Sequence, residues 1–246
     1  MIRTKDLAKR AAELGMPAVA MTDHGNLYGA IKFYQDCKKA GVKPILGCEI
    51  YLAPGSMSDK REVVGRKRAT HMTLLAENNE GWNNLSKLVS KGNLEGLYYG
   101  KPRVDRETLR EFSKGIICLT GCISGPVNEW LRAGDEEKAR ETLLEIVDIS
   151  GKENTYVEIH NHGLEPQRIV TPSLLKFAKE LDLKVVAAND VHFLHKFDHE
   201  AHDVMICIGT GHLLIDENRM HYTPEVYFKT AEQMREIFAD VPGACD

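Results

Sequence analysis

Several apolar runs in this chain stop at side chains able to bind metal. Ala-Val-Ala-Met at 18–21 is followed by Asp23, His24 and Gly25, and the run at 43–52 carries Cys48 and Glu49. Cys122 lies in Thr-Gly-Cys-Ile-Ser-Gly at 120–125, His160 and His162 follow the run at 155–159, and Asp190-Val-His192 follows that at 184–188. Imidazole, carboxylate and thiolate delivered together form the donor mix of zinc, manganese or iron sites. Asp190 and His192, two residues apart on a strand, would share one side. A carboxylate such as Glu49 in a run buried on both faces is costly without a cation. Two or three cations gathered at one mouth suit phosphoester hydrolysis, one generating hydroxide and another holding phosphoryl oxygens.

Each donor also has a plainer role. Glu49 could pair with a Lys or Arg, His24 could cap a turn beside Gly25, and His71 could be a core histidine. His71 opens its strand instead of closing it, which fits delivery to a common rim poorly. Cys122 could be an inert buried thiol. His160 and His162 are candidates to support the ligands, whereas His195, His199, His202, His212 and His221 read as solvated or structural.

Those donors need strands that end on one rim. Strand-like runs fall at 18–25, 43–52, 70–76, 116–120, 156–159 and 185–188, and helical periodicity falls between most of them. The helices read at 4–14, 27–40 (Leu27, Ala30, Ile31, Tyr34 and Cys37 inward), 81–90, 106–112, 125–133, 136–149, 171–181 (from a Thr-Pro start), 200–208 and 231–238. Residues 91–104 read as an irregular connection and 222–228 as an extended piece. Residues 53–68 read as an exposed loop, in which Lys60, Arg61, Arg66, Lys67 and Arg68 are either solvated or available to phosphates. The β-α alternation predicts a parallel sheet with helices outside and ligands converging on the strands' C-terminal side.

The totals set limits. A length of 246 residues suits one α/β domain, and a formal charge of −4 offers no global basic field for nucleic acid. No apolar run approaches the ~18 residues of a membrane span, and residues 1–6 lack a signal-peptide core, so a cytoplasmic protein is expected. Six cysteines without a secretory signal point to reduced thiols, with Cys37, Cys118 and Cys207 in the core.

The order of six motifs is specific. Met-Thr-Asp-His-Gly-Asn (21–26), Lys-Pro-Ile-Leu-Gly-Cys-Glu (43–49), Ala-Pro-Gly-Ser (53–56), Thr-His-Met-Thr-Leu-Leu-Ala-Glu-Asn (70–78), Thr-Gly-Cys-Ile-Ser-Gly (120–125) and Asn-Asp-Val-His (189–192) closely resemble the PHP (polymerase and histidinol phosphatase) domain of bacterial replicative DNA polymerase III alpha subunits. His202 to Gly211 and Tyr227 to Met234 resemble the segment leading from that domain toward the polymerase palm. The resemblance implies a distorted, TIM-like (β/α)7 barrel with up to three divalent metals, Zn or Mn, at its mouth. The implied ligands are His24, Glu49, His71, Cys122, Asp190 and His192, and no catalytic residue is assigned.

The family pattern opens with a strand bearing His-x-His and then an Asp or a third His, and the resemblance implies that this sequence starts after that strand. One metal, held by residues like Glu49, His71 and Cys122, is therefore expected to be complete. Two are expected to be incomplete: the second, which needs the missing histidines with Glu49 and Asp190, and the third, which pairs His24 and His192 with the missing acid or His. The resemblance implies a piece of a longer polymerase lacking the first barrel strand and the palm, with a barrel domain at 1–212 and a lead-in segment at 213–246. It also implies DNA and deoxynucleoside triphosphates as partners of the whole enzyme, with a proofreading exonuclease, a sliding clamp and no membrane. The domain is then either a metal-dependent 3′-5′ exonuclease or a structural platform. A free-standing phosphoesterase is the alternative outside the polymerases.

Overall fold

The computed structural model describes residues 2–62, 65 and 67–246. In chain order the elements are α1 (Thr4–Glu13), β1 (Ala18–Met21), α2 (Ala30–Ala40), β2 (Lys43–Leu52), β3 (Thr70–Ala76), α3 (Asn79–Leu94), β4 (Leu97–Tyr98), β5 (Lys101–Val104), α4 (Arg106–Glu111), β6 (Ile116–Leu119), α5 (Pro126–Arg132), α6 (Glu136–Ser150), β7 (Thr155–Ile159), α7 (Glu165–Leu181), β8 (Lys184–Ala187), α8 (His199–Thr210) and α9 (Ala231–Ile237). Several helices start on a side-chain cap that takes up an unpaired amide. Asn78, Asp105 and Asp135 accept from Gly81, Thr108 and Lys138 in turn, and Thr230 with Gln233 forms a reciprocal box at α9.

The strands form one curved sheet in the order β4-β5-β2-β3-β6-β7-β8, with β1 also on β2. β2 pairs with β3 from Gly47 to Leu52 and with β1 from Lys43 to Leu46. Tyr51 and Leu52 take β5 on the edge not used by β3. β1 and β8 are not paired with each other among the described residues.

The expected all-parallel sheet is corrected at β3, which runs antiparallel to both β2 and β6. Among the described residues no helix lies between β2 and β3, and β3 returns beside β2 in the opposite direction. Reversal resolves the misfit of His71. The start of an antiparallel strand lies at the rim where the parallel strands end.

Period-two alternation divides the sheet between two environments. Cys48, Ile50, Leu52, Met72, Leu74, Ile116 and Cys118 are at most 2% exposed and pack in the principal core. Glu49, Thr73, Leu75, Leu119 and Glu158 face a cavity of about 910 Å³, which residues of β1 and Ala188 also line. The sheet therefore curls into an open, distorted barrel. A second core joins Leu7, Ala8 and Ala11 of α1 to Ala30, Phe33 and Cys37 of α2. The inward face read from the sequence is corrected here, because Ile31 and Tyr34 are exposed and Phe33 fills the stripe against α1.

Three further differences are local. α7 starts at Glu165 instead of 171 and holds Pro172 inside the helix. Its first turn carries its own proline, and the Thr171 hydroxyl donates to the Gln167 carbonyl (2.7 Å) beside the amide that Pro172 lacks. Residues 91–104 contain the end of α3 and the β4–β5 hairpin. Of the segment 53–69, Met57, Asp59 and Arg68 are tied down by the buried Arg103 guanidinium, which donates to their carbonyls at 2.9–3.3 Å. Lys60 donates to the carbonyls of Met57, Glu95 and Leu97, and Arg61 pairs with Asp59. Arg66 lies outside the described residues. The extended piece at 222–228 carries a bridge between Phe193 and Tyr227, and Phe238 and Ala244 pack into the principal core.

Candidate metal centre

Glu49 stands at the middle of the site because the backbone brings two partners to it from opposite edges of β2. On one edge the Gly25 amide donates to the Glu49 carbonyl (2.9 Å) and the Glu49 amide to the Asp23 carbonyl (3.0 Å), which fixes His24 alongside. On the other, register places Glu49 opposite Thr73 and Tyr51 opposite His71. Gly25 has φ +63°, and a Cβ there would meet Pro102 at 2.5 Å, so glycine is required at this turn.

The side chains converge accordingly. Glu49 Oε1 lies 2.8 Å from His71 Nδ1 and Oε2 lies 3.5 Å from His24 Nε2. One ligand atom from each of the three lies within 4.8 Å of the others. The Tyr51 ring packs against both imidazoles, stacked on His24 and edge-on to His71. Burial opposes ionisation of Glu49, but the His71 hydrogen bond and the charges of His24, His71 and His192 hold its carboxyl below the usual range. Two nitrogens and a carboxylate at this spacing fit one divalent cation, bound at about 2 Å, with coordination positions left for water or substrate. Glu49 is 12% exposed and His24 41%, so the trio is reachable from solvent on the His24 side.

Cys122 adjoins this trio. Its Sγ lies 4.0 Å from Glu49 Oε1 and accepts from the Ser124 amide. The loop that carries it is held by Glu158, whose carboxylate accepts from the Gly121 amide (3.0 Å), and by Asn128, which donates to the Cys122 carbonyl. Gly121, at φ +87°, lets this loop close on β3, because a Cβ would sit 2.3 Å from the His71 carbonyl oxygen. Burial, then the charges of Glu49 and Asp190, push the Cys122 thiol up to about 12.

Asp190 and His192 line the same cavity as His24, Glu49 and Cys122 but stand outside the three-residue group. They also lie beyond β8, which ends at Ala187, so strand alternation does not orient them. Asp190 instead has φ +44°, and its backbone carbonyl meets His192 Nδ1 at 2.6 Å. A left-handed aspartate at a cavity wall is a strained conformation of the sort found at functional sites. Burial raises the Asp190 pKa against the pull of His192 and His160. The structure thus groups His24 with Glu49 and His71.

Sequence reasoning passed over Glu158, although an acid inside an apolar strand was a visible signal. It is buried, pairs with His160 Nε2 at 2.9 Å, and leaves His160 Nδ1 buried without a hydrogen-bond partner among the described residues. His162, by contrast, is occupied by Gln167 and the Asn189 carbonyl, and burial followed by the His160 charge pushes it down to about 4. His202 was set aside, yet it lines the cavity and its ring packs against His192 and Tyr222. Nothing in the local sequence distinguished it.

The curled α/β sheet carries a His-Glu-His cluster whose spacing would suit a divalent metal, and the chain belongs to the PHP domain family, whose model matches residues 1–162. Its sequence is similar to that of DNA polymerase III subunit alpha of Borreliella burgdorferi, at 41% identity over 99% of this chain and 21% of that protein. The same subunit of Saccharopolyspora erythraea is 43% identical over 98% of this chain and 22% of that protein. The chain therefore spans about a fifth of the length of these curated relatives. A solved structure from Bifidobacterium adolescentis, named provisionally as a metal-dependent phosphoesterase, gives a TM-score of 0.49 at 14% identity, covering 97% of this chain and 91% of its own. That likeness is too remote to argue from. No helix among the described residues is long and apolar enough to cross a membrane.

Proposed function

We propose that this chain serves as the PHP domain of a cytoplasmic, bacterial replicative DNA polymerase, where it holds one Zn or Mn ion and cleaves phosphodiesters at a DNA 3′ end. The observation that carries the reading is the approach of His24, Glu49 and His71 within 4.8 Å at a solvent-accessible rim. Held by His24, Glu49 and His71, a divalent ion would supply a water nucleophile at neutral pH and neutralise phosphoryl charge. Within the chain, Glu49 orients both imidazoles, Tyr51 restrains their rings, and the Glu158-braced loop presents Cys122. Asp190, which lines the same cavity, is a group able to take a proton from water.

The surrounding polymerase would bring DNA, deoxynucleoside triphosphates, a proofreading exonuclease and a sliding clamp, with residues 213–246 leading from the barrel at 1–212 toward its palm. One observation favours a second reading, a platform without catalysis. Only one metal-capable group of three is found among the described residues, whereas two-metal phosphoester hydrolysis needs a neighbouring pair. Incubating the chain with a 5′-labelled DNA strand and Mn²⁺ or Zn²⁺ separates them. Shortening of the strand by single nucleotides, lost in Asp190→Asn, supports the exonuclease; an inert wild-type chain that binds the metal supports the platform.

A further inference from the structure

The rim beside the metal trio carries positive charge and exposed aromatic surface that the trio itself does not need. Lys101 opens β5, with its ammonium 5.3 Å from the centre of the Tyr51 ring, the same ring that contacts His24 and His71. On the Cys122 side, the Lys67 ammonium lies 3.2 Å from Ser124 Oγ, and the Ser124 amide bonds the Cys122 sulfur. No carboxylate lies within ion-pair distance of either ammonium among the described residues. Burial and then the charge of Arg132, together with that of Lys101, hold the Lys67 pKa below the ordinary lysine value, against the pull of Glu129 and Cys122. Lys67, Arg132 and Lys101 gather positive charge here in a chain whose formal total is −4, offset in part by the Glu129 carboxylate that accepts from the Lys67 amide.

The hairpin next to Lys101 adds an aromatic tip. Its two central residues, Tyr99 and Gly100, have φ +48° and +73°, as a two-residue primed turn demands. Asn, Asp or Gly is the low-strain choice at the first of these positions, and a tyrosine there is strained. The strain is accompanied by exposure, since Tyr99 is 69% accessible. Its ring lies edge-on to Tyr98 at 4.7 Å, and the Arg68 guanidinium, itself paired with the Glu62 carboxylate, stacks on it at 4.2 Å. A planar ring kept at the surface against backbone preference, flanked by cations, suits base stacking along a phosphate backbone.

We propose that this rim is a track for single-stranded nucleic acid, in which Lys67 and Lys101 hold backbone phosphates on either side of the metal trio and Tyr99 stacks a base. The proposal deepens the exonuclease reading, and rests on it only in setting the strand's 3′ end at the trio. Glu49 and Asp190 repel phosphate from the centre when no cation is bound, so the lysines do their work at the edges.

The test is binding of a fluorescein-labelled oligothymidylate to the chain in EDTA, read by anisotropy between about 50 and 200 mM salt. Without metal there is no cleavage, so the result stands apart from the fate of the exonuclease reading. Each lysine that meets a phosphate contributes about 0.7 to the slope of log affinity against log salt for a single strand. Lys67→Ala and Lys101→Ala should each lower the slope by about 0.7, and the pair by about 1.4. Lys179→Ala, on α7, should leave it unchanged.

Tyr99→Asn should raise the melting temperature, by relieving the turn, while weakening binding about fivefold or more. An unchanged slope in the double lysine variant, an equal loss in Lys179→Ala, or full affinity in Tyr99→Asn overturns the proposal. So does a result in which the lysine variants lose affinity for inorganic phosphate and keep it for the oligonucleotide, which would make a small phosphate ester the ligand. Circular dichroism on each variant checks that the fold is retained.

Discussion

Replacing Glu158 by Gln removes the charge from an ion pair whose two side chains are each 5% exposed. The Glu158 carboxylate serves His160 Nε2 at 2.9 Å and the Gly121 amide at 3.0 Å, and His160 Nδ1 has no hydrogen-bond partner among the described residues. Removing one partner of a buried pair destabilises by about 3–5 kcal/mol. Gln keeps an oxygen for the Gly121 amide, so about 3 kcal/mol is the expected loss. The loss depends on pH. Burial disfavours a charged His160, but the hydrogen bond and charge of Glu158, joined by Asp190 and Glu49, raise its folded pKa above 6.5. A histidine shifted in that direction adds stability that is fully present below its unfolded pKa and vanishes as pH rises through the folded value. Glu158→Gln should therefore be more damaging near about pH 6 than near about pH 9. Urea unfolding of wild type, Glu158→Gln, His160→Gln and the double variant at both pH values measures the loss and the coupling. Equal unfolding midpoints for wild type and Glu158→Gln at the lower pH, or a deficit that does not shrink at the higher, would refute the reasoning.

Other consequences are local. Gly81→Ala places a Cβ 1.7 Å from the Gly115 carbonyl oxygen, so α3 and the turn before β6 must separate; thermal melting should show a loss of about 1–3 kcal/mol. Asp105 resists ionisation through burial, yet hydrogen bonds from Met57 and Thr108 overcome this and lower its folded pKa. Its contribution is present above its unfolded pKa and is lost as pH falls through the folded one, so Asp105→Ala should cost about 1–2 kcal/mol at neutral pH and progressively less in acid unfolding series. Because the Cys122 thiol lies at about 12, a cation that recruits it must displace a proton at neutral pH. Calorimetric titration with Zn²⁺ in buffers of different ionisation enthalpy should show one more proton released by wild type than by Cys122→Ser, and equal release in the two would remove Cys122 from the ligand set.

Much of the barrel was legible because its strands are short, apolar and bounded by Gly. The ranges of β2 and β3 follow directly from the hydrophobic runs, and Glu49 announced itself as an acid in one of them. Strand direction was not legible. Whether β3 turns back depends on a connection of loop residues whose course is set by Arg103, far along the chain, and the period-two pattern is the same either way. That reversal decides where His71 lies. The α2 stripe was misplaced because Ile31 and Tyr34 are as apolar as Phe33, and only the position of α1 selects between the faces. Asp190 and His192 were read on a strand that ends three residues before Asp190, since apolar periodicity carries no marker for a residue entering the left-handed region. Pairing between Glu158 and His160, two residues apart on and just beyond β7, was available in the sequence as an acid and a base on one side of a strand.

Equilibrium dialysis of the chain against Zn²⁺ and Mn²⁺, with the bound metal measured by mass spectrometry, examines the cluster of His24, Glu49 and His71 most directly. One cation per chain in wild type, lost in Glu49→Gln while circular dichroism stays the same, is the expected result. A wild-type chain that takes up neither metal, or a Glu49→Gln variant that binds as wild type does, would contradict the assignment.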